Sequence, residues 1–261
     1  MSFHSSLPLA AMTATLLSSS SFGALIAGDV AIVGFQASGL TTDSVSFVAL
    51  VDLAPGTVLY FTDNGWTGTA FRGVLATDGD GNENLMRFTA TNTIVAGTII
   101  GSRTSSADYA WALSGLVGPG TSAYAQLSLS STGEQVTILE STNPSNPIFS
   151  GFTALYNFDN TNAYETATTS STGSLAPGLV QGTSAVLLTS AANSALFNLN
   201  TLASGTRAEW LAAIGNAANW TTGSGTADAG SGFIVVVPAP GALALLACAG
   251  MAGSRRRRSA R

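Results

Sequence analysis

The densest run of ligand-bearing side chains is Asp78-Gly-Asp-Gly-Asn-Glu-Asn84, which sets oxygens at Asp78, Asp80, Asn82 and Asn84. Alternating oxygens on a tight turn are what a hard cation such as calcium takes from a protein. A twelve-residue calcium loop also needs Gly at its sixth position and a bidentate carboxylate at its twelfth, where this chain has Glu83 and Thr89. The same residues suit a polar hairpin tip between Val74-Leu75 and Leu85-Met86. Asp63-Asn64 is a second oxygen pair, equally suited to capping a turn. Between residues 25 and 236 there is no histidine, lysine or cysteine. Ser-His-Asp and Cys-His nucleophiles, Lys Schiff bases and His-ligated metals therefore have no place in the body. Carboxylates, hydroxyls, amides and Arg72, Arg87, Arg103 and Arg207 remain. Two carboxylates are the minimum for glycoside hydrolysis, so a carboxylate-based hydrolase stays open. So does sugar binding, if Trp66 or Trp111 stands exposed beside the Asp78 loop.

Charge narrows the partners. All fourteen acids precede the last twenty-five residues, which hold five of the nine arginines, leaving the body a net charge of about −10. Such a surface repels phosphate backbones, and nucleic acid is not an expected partner. The one cysteine, Cys248, lies in the apolar tail, so the body has no disulfide.

Both ends read as addresses. Residues 1–24 carry an apolar patch from Leu7 to Leu17, then Ser18 to Ser21 and a small-x-small site at Ser21-Phe22-Gly23, the pattern of a secretory signal peptide. Residues 237–261 run from Pro238-Ala239-Pro240 through uncharged Ala, Leu and Gly to Arg255, Arg256, Arg257 and Arg258. A helix over 240–253 would be roughly 21 Å long, shorter than a ~30 Å hydrocarbon core. Arginines beyond it would stay among cytoplasmic headgroups as a positive-inside stop. This order resembles the PEP-CTERM sorting signal of exported Gram-negative proteins, with Ala239 where that pattern has Glu. The resemblance covers only the tail. It implies that Pro238, Ala239 and Pro240 form the recognition element for an exosortase, a membrane-embedded Cys protease-transpeptidase. It also implies inner-membrane anchoring before processing.

The elements between these ends are short. Asp29–Phe35, Val45–Val51, Thr57–Thr62, Leu85–Thr89, Gly97–Ile100, Gln135–Leu139, Ile148–Phe152 running on to Tyr156, and Ala185–Leu188 are apolar, β-branched or aromatic. Phe233–Val237 reads as a final strand leading to the tail. Ala54-Pro55-Gly56 and Asp63-Asn64-Gly65 are turn signals. Thr206-Arg-Ala-Glu209 fits a capping box, and Trp210, Leu211 and Ile214 follow at helical spacing, predicting a helix over Arg207–Ile214 stopped by Gly215. Trp210 reads as packing. The segments 113–132 and 157–182, rich in Ser, Thr, Gly and Asn, read as long surface loops with little to bury. Nine or ten strands predict a mainly β fold. The expected form is an antiparallel β-sandwich with one short amphipathic helix, an N-terminal signal peptide and a C-terminal hydrophobic helix.

Gly28 to Trp66 and Trp210 to Trp220 together resemble a recurrent β-rich domain of secreted bacterial proteins and, distantly, lamin-tail-type Ig sandwiches. That resemblance implies a fold and no chemistry. The organisation expected is a signal peptide at 1–24, a sandwich domain at 25–236 and a sorting and membrane segment at 237–261. The function expected is that of a non-enzymatic cell-surface or extracellular-matrix protein. The alternative is a calcium- or carbohydrate-binding module of an exopolysaccharide matrix.

Overall fold

The computed structural model describes residues 23–37, 43–72, 84–113, 126–165, 173–223, 232 and 234–236. The first four strands coincide with the strongest apolar runs: β1 (Val30–Gln36), β2 (Ser44–Ala49), β3 (Val58–Thr62) and β4 (Leu85–Ala90). Then come β5 (Ile99–Gly101), β6 (Tyr109–Ala112), β7 (Gln135–Ser141), β8 (Phe152–Asp159), β9 (Ala185–Leu187) and β10 (Ser194–Phe197). The helix α1 (Arg207–Ile214) and the strand β11 (Trp220–Gly223) complete the described elements, with two single 3-10 turns beside them.

The strands form two sheets, β11-β10-β1-β2-β5 and β6-β4-β3-β7-β8-β9. Every pairing is antiparallel except β8 with β9, which run parallel, so the expected all-antiparallel order fails at one edge. The two sheets face each other across one core that takes Ile32, Phe35 and Phe47 from the first and Phe61, Phe88, Ile138 and Phe158 from the second. Phe35 stacks on Phe158 at 4.9 Å, and Phe47 meets Phe61 and Phe88 at 5.3 and 5.2 Å. Such ring pairs add about 1 kcal/mol each to the area they bury. A second apolar cluster (Tyr60, Trp66, Phe71, Leu139, Ala176 and Leu179 among it) covers the outer face of the six-stranded sheet. That sheet is therefore buried on both sides, which explains why its strands read as continuous apolar runs.

Local signals placed α1. Thr206 Oγ1 accepts from the Glu209 N–H at 3.3 Å while Glu209 Oε2 accepts from the Thr206 N–H at 2.7 Å, completing the capping box. Trp210 and Ile214 are fully buried, and Trp210 packs on Phe197. Arg207 ties the helix to the start of β1, with Nε 2.9 Å from Asp29 Oδ1 and Nη2 donating to the Ala27 carbonyl at 2.7 Å. Gly28 lies at φ +84, and Leu211 packs where its Cβ would stand, so no other residue fits. Gly215 does end the helix, but its φ of −69 is ordinary right-handed backbone. The glycine is required for space, because a Cβ there would lie 2.4 Å from the Gly182 carbonyl carbon.

Three expectations need correction, and strands β6, β10 and β11 have no counterpart among the expected runs. Ile148 belongs to a turn, and the strand begins only at Phe152. The segments read as surface loops bury apolar residues: Leu127 and Leu129 enter the main core, Phe158 closes it from β8, and Ala176 and Leu179 join the outer cluster. Within the run read as a final strand, Val235 makes a single bridge to Gly205 beside α1, and Ile234 and Val236 are exposed.

No helix among the described residues is long and apolar enough to cross a membrane. Residues 1–22 of the signal-peptide reading, and the whole of 237–261, including Pro238 to Pro240 and Arg255 to Arg258, lie outside the described residues.

Candidate functional site

Strand β5 is one edge of the first sheet and β6 is one edge of the second. The connection 102–108 crosses from one sheet to the other. Between these two edges lies a cleft of about 500 Å³, lined by Ser102, Arg103, Thr104, Tyr109, Trp111 and Gln126 among others. That volume lies within the usual ligand-pocket range of about 300–1,000 Å³.

The aromatic pair is set by β6. Tyr109 and Trp111 are two residues apart and so share one face of the strand, opposite Ala90 and Phe88 of β4. The Trp111 ring rests on Phe88 and Phe61, each at 5.2 Å, and on Phe47 at 6.1 Å. The Tyr109 hydroxyl and Thr104 Oγ1 are 2.6 Å apart, and Thr104 Oγ1 donates to the Gly101 carbonyl at 2.7 Å. Both rings are thus anchored on the core side and half-buried at the cleft. Gln126 is held by its Nε2 donating to the Asp43 carbonyl at 2.9 Å, and the Arg103 side chain is exposed. The Trp111 Nε1–H is buried and has no hydrogen-bond partner. An indole N–H in that state costs about 1–3 kcal/mol unless a ligand or water accepts from it.

The other candidate positions divide sharply. Trp66 is buried, its ring packed on Phe71 and Phe152 at 5.1 and 5.7 Å, so it is no surface platform. Asp78, Asp80 and Asn82 lie outside the described residues. Asn84 is tied into the fold: its backbone N–H donates to Asp63 Oδ1 at 2.7 Å, and its Nδ2 donates to the Gln126 carbonyl at 2.6 Å. Asp63 accepts also from the Ser128 N–H at 2.8 Å, so its carboxylate ties two segments distant in sequence where a local turn cap was expected.

Asp63 belongs to a wider arrangement that pattern reading missed. Asp63, Asp43 and Glu134 accept from three successive backbone N–H groups, those of Ser128, Leu129 and Ser130, at 2.8, 2.9 and 3.0 Å. Each carboxylate comes from a different sheet strand's margin, so the segment is laced down from three directions. Asp29 and Glu140 likewise accept from the Ile26 and Leu25 N–H groups. Burial pushes the carboxyls of Asp29 and Glu140 upward, and those backbone hydrogen bonds oppose the shift. Much of the acidity that makes this body strongly negative is therefore spent on fastening chain, which no composition count could reveal.

Chemically the cleft offers two aromatic rings, hydroxyls, an amide and a guanidinium, while the unsatisfied Trp111 Nε1–H is itself buried. No acid is among the described residues that line it. Among the described residues no group of three or more His, Cys, Asp or Glu is placed to hold a metal ion. No family model matches this chain, and neither a curated protein nor a solved structure is significantly similar to it.

Proposed function

We propose that this chain is an exported, non-enzymatic cell-surface or matrix protein whose β-sandwich binds polysaccharide in the β5–β6 cleft. The observation that carries the reading is the pairing of Tyr109 and Trp111 on one strand face at a cleft of ligand size. Sugar rings present C–H faces that stack on such rings. The absence of acids among the described lining residues supports binding over hydrolysis, since glycoside cleavage needs a carboxylate pair in reach of the same bond.

The address belongs to the same proposal. The leader exports the chain, and the tail from Pro238 to Arg261 holds it at the inner membrane until an exosortase-like enzyme acts at Pro238-Ala239-Pro240. Fractionating cells that make the protein with and without residues 237–261 tests the sorting step. Unchanged localisation after truncation defeats it.

Calorimetry against a panel of neutral and acidic polysaccharides tests the binding step. Trp111→Ala is expected to weaken the best binder at least tenfold, and Arg103→Ala, at an exposed position, more modestly. Trp111→Phe keeps an aromatic ring against Phe61 and Phe88 while removing the donor and the second ring, so a loss of binding with unfolding unchanged separates ligand contact from folding. A protein that binds no polysaccharide, or binds one equally well in all three variants, overturns the reading.

A further inference from the structure

We propose that the outer face of the six-stranded sheet binds a calcium ion through Gln135 Oε1, Asn157 Oδ1 and Asp159 Oδ2. This site is separate from the cleft and from the Asp78 run, and it follows from the register of β7 with β8.

Val136, Ile138 and Phe158 point into the inter-sheet core. By strand alternation Gln135, Thr137, Asn157 and Asp159 point to the opposite face. The register sets Gln135 directly opposite Asp159 and Thr137 directly opposite Asn157, so four polar side chains form two adjacent cross-strand pairs. Directly opposed Cβ atoms are about 5 Å apart. All four are at most 1 % exposed.

Local hydrogen bonds fix which oxygens are left over. Asn157 Nδ2 donates to Thr137 Oγ1 at 3.0 Å, which turns Asn157 Oδ1 the other way. The Thr161 N–H and Oγ1 both donate to Asp159 Oδ1, at 2.7 and 2.6 Å, which leaves Asp159 Oδ2. Asn157 Oδ1, Asp159 Oδ2 and both amide atoms of Gln135 have no hydrogen-bond partner. The backbone at Gly173 lies over Gln135, since a Cβ there would stand 3.0 Å from Gln135 Nε2.

Charge decides between a water and a cation. Three unpartnered acceptor oxygens lie on one sheet face, and one of them belongs to a fully buried carboxylate. The charged neighbour that acts on Asp159 is Glu165, of the same sign. A buried carboxylate without a counter-charge is costly, and a neutral water cannot neutralise it. One carboxylate oxygen with two amide oxygens is a hard-cation ligand set, with water completing the six to eight positions that calcium takes. Magnesium, which demands near-ideal octahedral geometry and gives up its waters reluctantly, suits two strands of fixed spacing less well.

The test is calcium titration and thermal unfolding of the full chain, with EDTA and magnesium as references. Calcium is expected to bind and to raise the unfolding temperature, and magnesium to do so at least tenfold less effectively. Asp159→Asn, which keeps the acceptor for Thr161, is expected to abolish the calcium-dependent rise. Asp78→Asn together with Asp80→Asn is expected to leave it in place. A wild-type protein indifferent to calcium overturns the proposal. So does a rise that survives Asp159→Asn, or one that disappears with the Asp78 and Asp80 changes alone. Should Asp159→Asn fail to fold, Gln135→Ala replaces it, because the Gln135 amide makes no hydrogen bond in the fold. Calcium affinity undiminished by Gln135→Ala likewise overturns the site.

Discussion

Asp63, just past the end of β3, and Asp159, at the end of β8, are both fully buried aspartates on the two strands that flank β7, yet their surroundings are opposite. Asp63 has a backbone N–H on each oxygen, from Asn84 and from Ser128. Asp159 has two donors crowded on one oxygen and none on the other. The first is a finished fastening, in which charge-assisted hydrogen bonds offset the cost of burial. The second is unfinished, and that cost stands until something else arrives. Burial alone does not mark an acid as structural or functional; the unfilled oxygen does.

The largest expected effect comes from breaking the finished member. Asp63→Ala removes both acceptors at once and leaves two buried N–H groups unsatisfied. Each hydrogen bond to a charged group is worth about 1.5–3 kcal/mol. We expect a loss of about 4 kcal/mol in urea unfolding, without any response to calcium. If Asp63→Ala costs less than about 1 kcal/mol, the segment 128–130 is held by its core residues Leu127 and Leu129 instead.

Asp159 behaves in the opposite sense in metal-free buffer. Its folded carboxyl titrates near 6, above the ordinary value of 3.8. A raised acid contributes no penalty below the unfolded value, where both states are protonated. Stability is then lost as pH rises from about 4 through about 6. The shift corresponds to roughly 3 kcal/mol at neutral pH. Unfolding of wild type and Asp159→Asn in EDTA across that range is expected to show the difference growing with pH in favour of Asn. A pH-independent difference would remove the contrast between the two aspartates.

Close packing gives the next test. Gly215→Ala places a Cβ against the Gly182 backbone at 2.4–2.8 Å, where nothing flexible can yield. We expect a loss of about 2–3 kcal/mol, the range of overpacking in a well-filled site. At Gly56, also a turn glycine, nothing stands near the added Cβ, and only the φ of +88 resists substitution. The cost there is expected to be about 1 kcal/mol, measured in the same unfolding series.

What was legible in the chain follows the range of the interactions. Strands β1 to β4 are continuous or alternating apolar runs, and α1 carries its cap within four residues, so both could be read locally. The turn at Ala54 to Thr57, with Gly56 at positive φ, was legible for the same reason. Strand β11 was not, because Trp220-Thr-Thr-Gly223 acquires its meaning only beside β10. The segment 126–130 was read as part of a polar loop although Leu127 and Leu129 alternate within it; its fastening comes from Asp43 and Asp63, distant in sequence, and from Glu134 four residues beyond Ser130. Of the cleft, Trp111 could be singled out by type, whereas Tyr109 and Arg103 join it only once β5 and β6 are seen to be facing edges. The face shared by Gln135, Asn157 and Asp159 depends on register, and the irregularity in the β7–β8 pairing between Ile138 and Leu139 breaks the alternation that would have carried it from sequence.

The smallest effect concerns an acid at the other extreme of exposure, with two donors on one oxygen and the carboxylate open to water. Glu209 closes the capping box from the surface of α1, and the backbone hydrogen bond from Thr206, then the Thr206 hydroxyl, hold its carboxyl below the usual range. An acid with a lowered folded value stabilises above its unfolded value, and that contribution is lost as pH falls through the folded one. Thr206→Ala is expected to cost about 1 kcal/mol at neutral pH and less in acid, where Glu209 no longer accepts as a carboxylate. Asp159→Asn is expected to gain with pH over part of the same range. Asp159 and Glu209 each take a threonine N–H and hydroxyl on one oxygen, so opposite slopes for the two variants in one pH series would show that burial of the second oxygen is what divides them. Parallel slopes would mean that the fold senses only its net charge.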